Sequence, residues 1–337
     1  MDSERTYIKD MDPNQLVEGV FAIQNAQLGL TRQGKPYLKC LLADKTGRVP
    51  ARMWNASEEL VRSLPPDGFV RIEGQTQPYQ GQMQIIVQDV EAVRPDAAEL
   101  HHLLPSTPKD VEAMYEELLG IVHSVTSPSM RALVEAYVQD AKLMAAFKQA
   151  PAGVMLHHAY LGGLLEHTLG LLKLAEAVLP RYPDLNRDLI LVGLFVHDLG
   201  KCAELTWQQG FAYTDEGQLV GHIARGVVWL ERKAELLRQA GHEIPRDALM
   251  VLEHIILSHH GKPEFGAART PSTPEALFVS LLDNFEAKMD MALTPTRGEE
   301  APDTDMNGHF TEKIWALDNV RYYRPDPLAV ERSEAGA

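Results

Sequence analysis

Residues 195–201 read Phe195-Val-His-Asp-Leu-Gly-Lys201. An apolar run ends there in two adjacent side chains that can bind a metal, His197 and Asp198, and Gly200 is expected to close the helix that carries them. A lone His-Asp pair is common by chance. Further ligand types in matching local settings are not. His167 stands in Gly162-Gly-Leu-Leu-Glu-His-Thr168, and His222 in Val220-Gly-His-Ile223. His259 and His260 stand in Leu257-Ser-His-His-Gly261, and Asp283 in Leu281-Leu-Asp-Asn284. These segments lie in separate apolar stretches of helical period, so several helices can each project one or two ligands into a bundle core. Neutral imidazole and carboxylate suit Mn, Fe, Zn or Mg-type centres that also hold water.

Outward from this stretch, apolar segments near 159–179, 186–198, 219–240, 246–259 and 274–292 keep the helical period between breakers. Thr107 before Pro108 and Ser127 before Pro128 read as helix starts. Residues 108–325 are therefore expected to be all-α, with Thr294–Gly308 as a loop, a last short element around Ile314-Trp315, and 326–337 as a flexible tail. Residues 1–95 differ. Five runs near 17–27, 35–44, 47–54, 69–78 and 82–93 alternate with period two, and a short helix at 55–64 separates the third from the fourth before Pro65-Pro66. Three strands, a helix and two strands is the order of a five-stranded OB-fold barrel. The Pro-containing segment between the two parts, 96–107, reads as a linker. The expected fold class is thus multidomain β + α, a barrel followed by a helical bundle.

Strand alternation sorts the barrel's side chains by face. Leu38, Cys40, Leu42, Val49, Ala51 and Met53 fall inside. Tyr37 and Lys39 of the second strand and Arg48, Arg52 and Trp54 of the third fall outside. Rings interleaved with cations can stack any base while holding phosphates. The competing reading packs Trp54 and Tyr37 against the helical part and leaves the cations as a solvated face. Tyr79 and Phe21 read as structural.

The ligand pattern resembles the HD-domain metal-dependent phosphohydrolases, whose signature is a His, then His-Asp, then a distant Asp. His167, His197, Asp198 and Asp283 match that set, and His222 with His259-His260 resemble the extra histidines of dinuclear members. The phrases Leu156-His-His-Ala-Tyr-Leu-Gly-Gly-Leu-Leu-Glu-His-Thr168 and Ile256-Leu-Ser-His-His-Gly261, behind a barrel, look closer still to the YhaM-type 3′→5′ exoribonucleases, from about residue 15 to 325. The chain departs from members in which the double histidine continues into an Asp-Gly-x-Gly-Tyr-Pro run, because it has Lys262-Pro-Glu-Phe-Gly266. Cyclic-dinucleotide hydrolysis of that type is therefore not expected.

The resemblance implies 3′→5′ hydrolysis of single-stranded RNA, with single-stranded DNA as a further substrate. It implies two divalent ions, Mn2+ foremost, with Fe, Co or Mg as alternatives. Asp198 would bridge them, with His167, His197 and Asp283 on one and His222 with His259 or His260 on the other. Lys201 is expected either to stabilise charge on the phosphate or to be a solvated cation at a helix end. His157 and His158 either line the substrate path or start a helix. Glu166 orients a ligand or is exposed. Two rival readings are a nucleotide or cyclic-nucleotide phosphohydrolase with the barrel as a docking module, and a non-catalytic strand-binding protein with a structural metal.

Composition bounds these readings. The 337 residues include 32 Lys and Arg against 47 Asp and Glu, a net charge of −15. That balance argues against nucleic acid until it is divided. Residues 1–95 hold 11 basic and 12 acidic residues, so the remainder, with 21 and 35, carries −14 of it. Two cysteines and no apolar run of transmembrane length point to the cytoplasm. No membrane partner is expected, and a homo-oligomer is compatible with the sequence.

Overall fold

The period-two alternation of the first hundred residues closes into a barrel. The computed structural model describes residues 5–31, 33–65, 68–79, 82–154, 157–207, 210–297, 309–326 and 328. Strands β1 (Leu16–Leu30), β2 (Pro36–Asp44), β3 (Gly47–Trp54), β4 (Gly68–Tyr79) and β5 (Gln82–Ala92) pair in the order β1-β2-β3-β5-β4. Their ladders are antiparallel except for the short parallel one from β3 to β5, Ala51 opposite Ile85 and Arg52 opposite Ile86. Helix α1 (Glu58–Ser63) connects β3 to β4, and the Ser57 side chain accepts from the Leu60 N–H at its start. It begins later than expected because Asn55 turns the chain through a left-handed backbone, φ 56°, and Ala56 is buried. Leu38, Cys40, Leu42, Val49 and Ala51 fill the interior with Phe21, Ile72 and Ile85, and Met53 packs at the edge.

Within the segment expected to be an irregular linker, Ala97–Leu103 forms helix α2. Its Leu100 and Leu103, with Leu104, bury against Val20, Ala22, Ala43 and Phe69 of the barrel and Leu161 of the helical part. Seven residues are too few to display a helical period, so the apolar seam that stabilises α2 is visible only in three dimensions.

The helical part consists of α3 (Val111–Val122), α4 (Pro128–Val138), α5 (Ala141–Gln149), α6 (Gly163–Val178), α7 (Arg187–Val196), α8 (Lys201–Glu204), α9 (Asp215–Leu219), α10 (Gly221–Gln239), α11 (Arg246–Ser258) and α12 (Pro274–Arg297). Thr107 does not cap α3. Asp110 does, accepting from the Glu112 and Ala113 N–H groups, whereas the Thr107 hydroxyl donates to Glu166 at 2.6 Å. Ser127 and Pro128 do open α4, with proline at the first helical position, but the Ser127 side chain forms no cap. The all-α expectation needs one correction. Strands β6 (Leu205–Thr206) and β7 (Ala212–Tyr213) make a small hairpin directly after α8, and Trp207 and Phe211 beside it pack on the α2 seam. Helix α12 extends through Pro295 into the stretch expected to be a loop, of which 298–308 lie outside the described residues. A 3-10 turn at Trp315–Leu317 occupies the place of the last short element. In the expected tail, 327 and 329–337 also lie outside the described residues.

The helical core is apolar from Met114 to Val279, and α6, α7, α11 and α12 each give it several fully buried side chains or flank it. These four helices, with the start of α10, carry the His and Asp residues.

Candidate metal centre

Helix α7 ends on His197, and Asp198 follows in the turn before α8. Gly200 does not terminate α7 by a left-handed turn, since its φ is −56°. Its missing side chain matters for another reason: a Cβ there would collide with the backbone carbonyl of His222. Glycine lets the N-terminus of α10 approach Asp198 closely. Gly163 does the same at the start of α6, where a Cβ would strike the carbonyl of His158.

These approaches bring the candidate ligands together. His167 Nε2 lies 3.2 Å from Asp283 Oδ1, and His197 Nε2 3.9 Å from the same oxygen. Asp198 Oδ2 is 3.5 Å from His197 Nε2, while Asp198 Oδ1 is 3.5 Å from His222 Nε2 and 3.4 Å from His259 Nε2. Among the described residues two groups of potential ligand atoms, His167-His197-Asp283 and Asp198-His222-His259-His260, meet at Asp198, and a third, His158-His167-Glu286, lies behind His167; in each the atoms are within 4.8 Å of one another. Both adjacent histidines fall in the second group, and their rings stand 4.3 Å apart.

Four of the rings are held by their outer nitrogens. His167 Nδ1 meets Glu286 Oε2 at 2.6 Å, and His222 Nδ1 meets Glu204 at 2.9 Å. His197 Nδ1 donates to the Leu194 carbonyl at 2.8 Å, and His259 Nδ1 to that of Ile256 at 2.7 Å. The four Nε2 atoms therefore face inward. All four, with Asp198 Oδ1 and His260 Nδ1, are buried without a hydrogen-bond partner among the described residues. Unsatisfied buried polar atoms are costly, about 1–3 kcal/mol each, so a convergent set of them fits a ligand that accepts lone pairs. Histidines anchored at one nitrogen by carboxylate or carbonyl are what a metal's surroundings require. The residues present fit divalent ions.

The charges agree with this chemistry. Burial disfavours ionised Asp198, but Lys201 and His197 outweigh it and hold the carboxyl well below its ordinary range. Burial likewise opposes ionised Asp283, and His167 with His197 overrides it. Glu286 is drawn down to about 2 because His158 and His167 outweigh its burial. Burial pushes His197 down to about 4 and His260 to about 3, so both are neutral donors near pH 7. His167 is the exception. Burial lowers it, but Asp283 and Glu286 raise it to about 10, and that proton must leave before Nε2 binds a cation.

The remaining candidates separate. Lys201 is buried, its Nζ 2.7 Å from Asp198 Oδ2, which rules out the solvated-cation reading. His158 does not start a helix; its Nε2 meets Glu286 at 2.6 Å and its Nδ1 meets the Tyr160 hydroxyl at 2.5 Å. His157 lies against His167, ring centroids 5.9 Å apart, with Nδ1 buried and unpartnered among the described residues, and burial lowers it to about 4. Glu166 points away, to Thr107 and Lys109. His254 accepts from the Ser272 N–H and joins neither group. Sequence reasoning missed Glu204 and Glu286. Glu286 follows Asp283 by three residues on α12, and that spacing is the signal that could have found it.

On the barrel, Tyr37 and Trp54 are directly paired across β2 and β3, with ring centroids 5.2 Å apart. Lys39 is paired with Arg52, whose guanidinium lies 5.9 Å from the Trp54 ring and 5.3 Å from that of Tyr79. Trp54 is 44% exposed and Tyr79 47%, so neither packs into the helical part. Tyr79 thus belongs with this patch, whereas Phe21 is core. Arg48 is exposed but pairs with Ala43, at the end of the face that α2 covers.

Comparison with known proteins follows this division. The pattern described as "HD domain" matches residues 164–288, and that described as "OB-fold nucleic acid binding domain" matches 20–93. The chain is 34% identical over 325 residues to a 3′-5′ exoribonuclease YhaM of Geobacillus sp. (strain WCH70), covering 95% of each. It is 31% identical to the enzyme of that name from Bacillus subtilis (strain 168), covering 92% of this chain and 95% of that one. Among solved structures, the second OB-fold domain of replication protein A from Methanococcus maripaludis aligns at 14% identity and TM-score 0.23, over 28% of this chain and 98% of that one.

Proposed function

The chain belongs to the family of the 3′-5′ exoribonuclease YhaM, and from that premise we propose that its barrel face captures a strand of single-stranded RNA whose 3′ end is cleaved at two ions seated around Asp198. The enzyme is a metal-dependent hydrolase of phosphodiester bonds. The observation that supports this assignment of the centre is the convergence on Asp198 and Asp283 of four buried Nε2 atoms that have no hydrogen-bond partner among the described residues.

Divalent ions held there would supply Lewis-acid chemistry, activating a water and neutralising charge on the attacking and leaving oxygens. His167, His197 and Asp283 would hold one ion, and His222, His259 and His260 the other, with Asp198 between the two sets. Glu204 and Glu286 orient rings and keep a proton on Nδ1. Lys201, paired with Asp198, keeps that carboxyl ionised and would stabilise charge on a phosphate oxygen. His157, beside His167, would line the path of the strand's end. Tyr37, Trp54 and Tyr79 offer stacking surfaces, while Lys39 and Arg52 offer phosphate contacts, with Arg48 further along. The mixed imidazole and carboxylate donors suit divalent ions of this kind, and the family resemblance points to Mn2+ among them, with Fe, Co or Mg as alternatives. Among the described residues no helix is long and apolar enough to cross a membrane, and two free thiols suit the reducing cytoplasm.

Incubating 5′-labelled RNA and DNA strands with the enzyme, in Mn2+ or in chelator, tests this reading. A ladder shortening from the 3′ end, abolished by chelator and by Asp198→Ala, is expected. Turnover that survives Asp198→Ala would overturn the assignment of the centre, and preferential loss of DNA would overturn RNA as the main substrate.

A further inference from the structure

A cavity of 570 Å³ lies between α5 and α10, on a side of α8 that the metal centre does not use. Lys201 and Glu204 on one face of α8 turn toward Asp198 and His222. Cys202 and Ala203 on the other face line the cavity, with Leu143 of α5 opposite. The half-buried indole of Trp229 forms one wall, and Lys142 and Arg232 stand at the rim.

The charge here runs against its surroundings. The helical part is strongly acidic, yet this cavity gathers Lys142, Arg232 and Lys233 against a single carboxylate, Asp140. Lys233 is already committed. Its Nζ donates to the Ala136 carbonyl at 2.7 Å and to Asp140 at 3.1 Å, and it sits 4.9 Å over the Tyr137 ring. Lys142 and Arg232 form no ion pair among the described residues. An apolar floor, an indole and two rim cations outside any ion pair among the described residues, of which Lys142 still feels the charge of Asp140, select a ligand with a flat ring at one end and an anion at the other. Small-molecule sites span about 300–1,000 Å³, and this cavity is large enough for a nucleotide.

We propose that this cavity binds a mononucleotide, its base against Trp229 and its phosphate on Lys142 and Arg232. The ligand would rest on the turn of α8 that carries the two side chains supporting Asp198 and His222.

The test is calorimetric titration of the full-length protein with adenosine 5′-monophosphate in chelator, so that the metal centre cannot hold the phosphate through an ion. Saturable binding is expected in the wild type and in Asp198→Ala alike. Lys142→Ala with Arg232→Ala should weaken it about tenfold or more, as expected for lost charge-assisted contacts. Both are rim residues, so retained Mn2+-dependent turnover of RNA would show that the double variant is folded. Trp229→Leu should weaken the nucleotide but not inorganic phosphate. No saturation at millimolar nucleotide, or affinity unchanged in the double variant, overturns the proposal. Binding lost in Asp198→Ala places the nucleotide in the metal centre and overturns it too. Inorganic phosphate binding as tightly as the nucleotide overturns the role of Trp229.

Discussion

At the scale of single residues, the centre depends on which nitrogen of each ring faces inward. Burial alone would leave the four imidazoles free to choose, and the outer partners make the choice: two carboxylates and two backbone carbonyls. The carbonyls cannot be mutated away, but the carboxylates can. Replacing Glu286 with Gln keeps the size of the side chain and removes the charge that holds His167 and His158. Loss of such a supporting group costs about 10–100-fold in metal affinity or activity. Glu286→Gln should therefore raise the Mn2+ concentration for half-maximal RNA cleavage by about that factor, while saturating Mn2+ recovers part of the rate. A metal requirement that does not move would show that Glu286 serves packing only.

At the scale of elements, two surfaces make separate predictions. The β2–β3 face presents Trp54, Arg52 and Tyr37 as a unit, and base stacking is worth about 1–3 kcal/mol per ring. Trp54→Ala with Arg52→Ala should weaken binding of an oligonucleotide by at least about tenfold in a fluorescence-anisotropy titration. Hydrolysis of a substrate too short to reach the barrel should be unchanged. The second surface is the α10–α11 contact, where Glu253 and Glu231 face each other. Burial first, then Glu231, raises Glu253 to about 7. A carboxyl whose pKa is higher folded than unfolded favours the fold while protonated, and this support is lost as pH rises through about 7. Glu253→Gln should therefore raise Tm at pH 8 and change it little at pH 5. An equal shift at both values would refute the pairing.

At the scale of the whole molecule, the net charge of −15 lies almost wholly outside the barrel. A single strand must then be held by a few local cations rather than drawn in by the field of the protein. If Lys39, Arg48 and Arg52 neutralise the phosphates, the slope of log affinity against log salt should be about −2. A much steeper slope would mean that cations outside this face carry the strand.

Much of this architecture could be read from local pattern. Period-two alternation separates Leu38, Cys40 and Leu42 from Tyr37 and Lys39, and the barrel interior follows it. Helical period marks the stretches that carry His167, His197, His259 and Asp283, because each helix buries its own apolar face. Helix α2 escaped because its reason to be helical is a seam shared with the barrel and Leu161. Glu204 escaped because an acidic residue at a helix end looks solvated until the start of α10 is packed on it.

The sequence by itself determined which side chains the centre can draw on and which strand faces are buried, since both depend on periodicities a few residues long. Only the tertiary structure decided that two glycines admit the carbonyls of His158 and His222, that Glu286 reaches His167 across 119 positions, and that Lys201 is buried against Asp198. The physical reason is that hydrogen bonds and buried charges choose partners by distance in space, and distances between helices come from packing that no local period encodes.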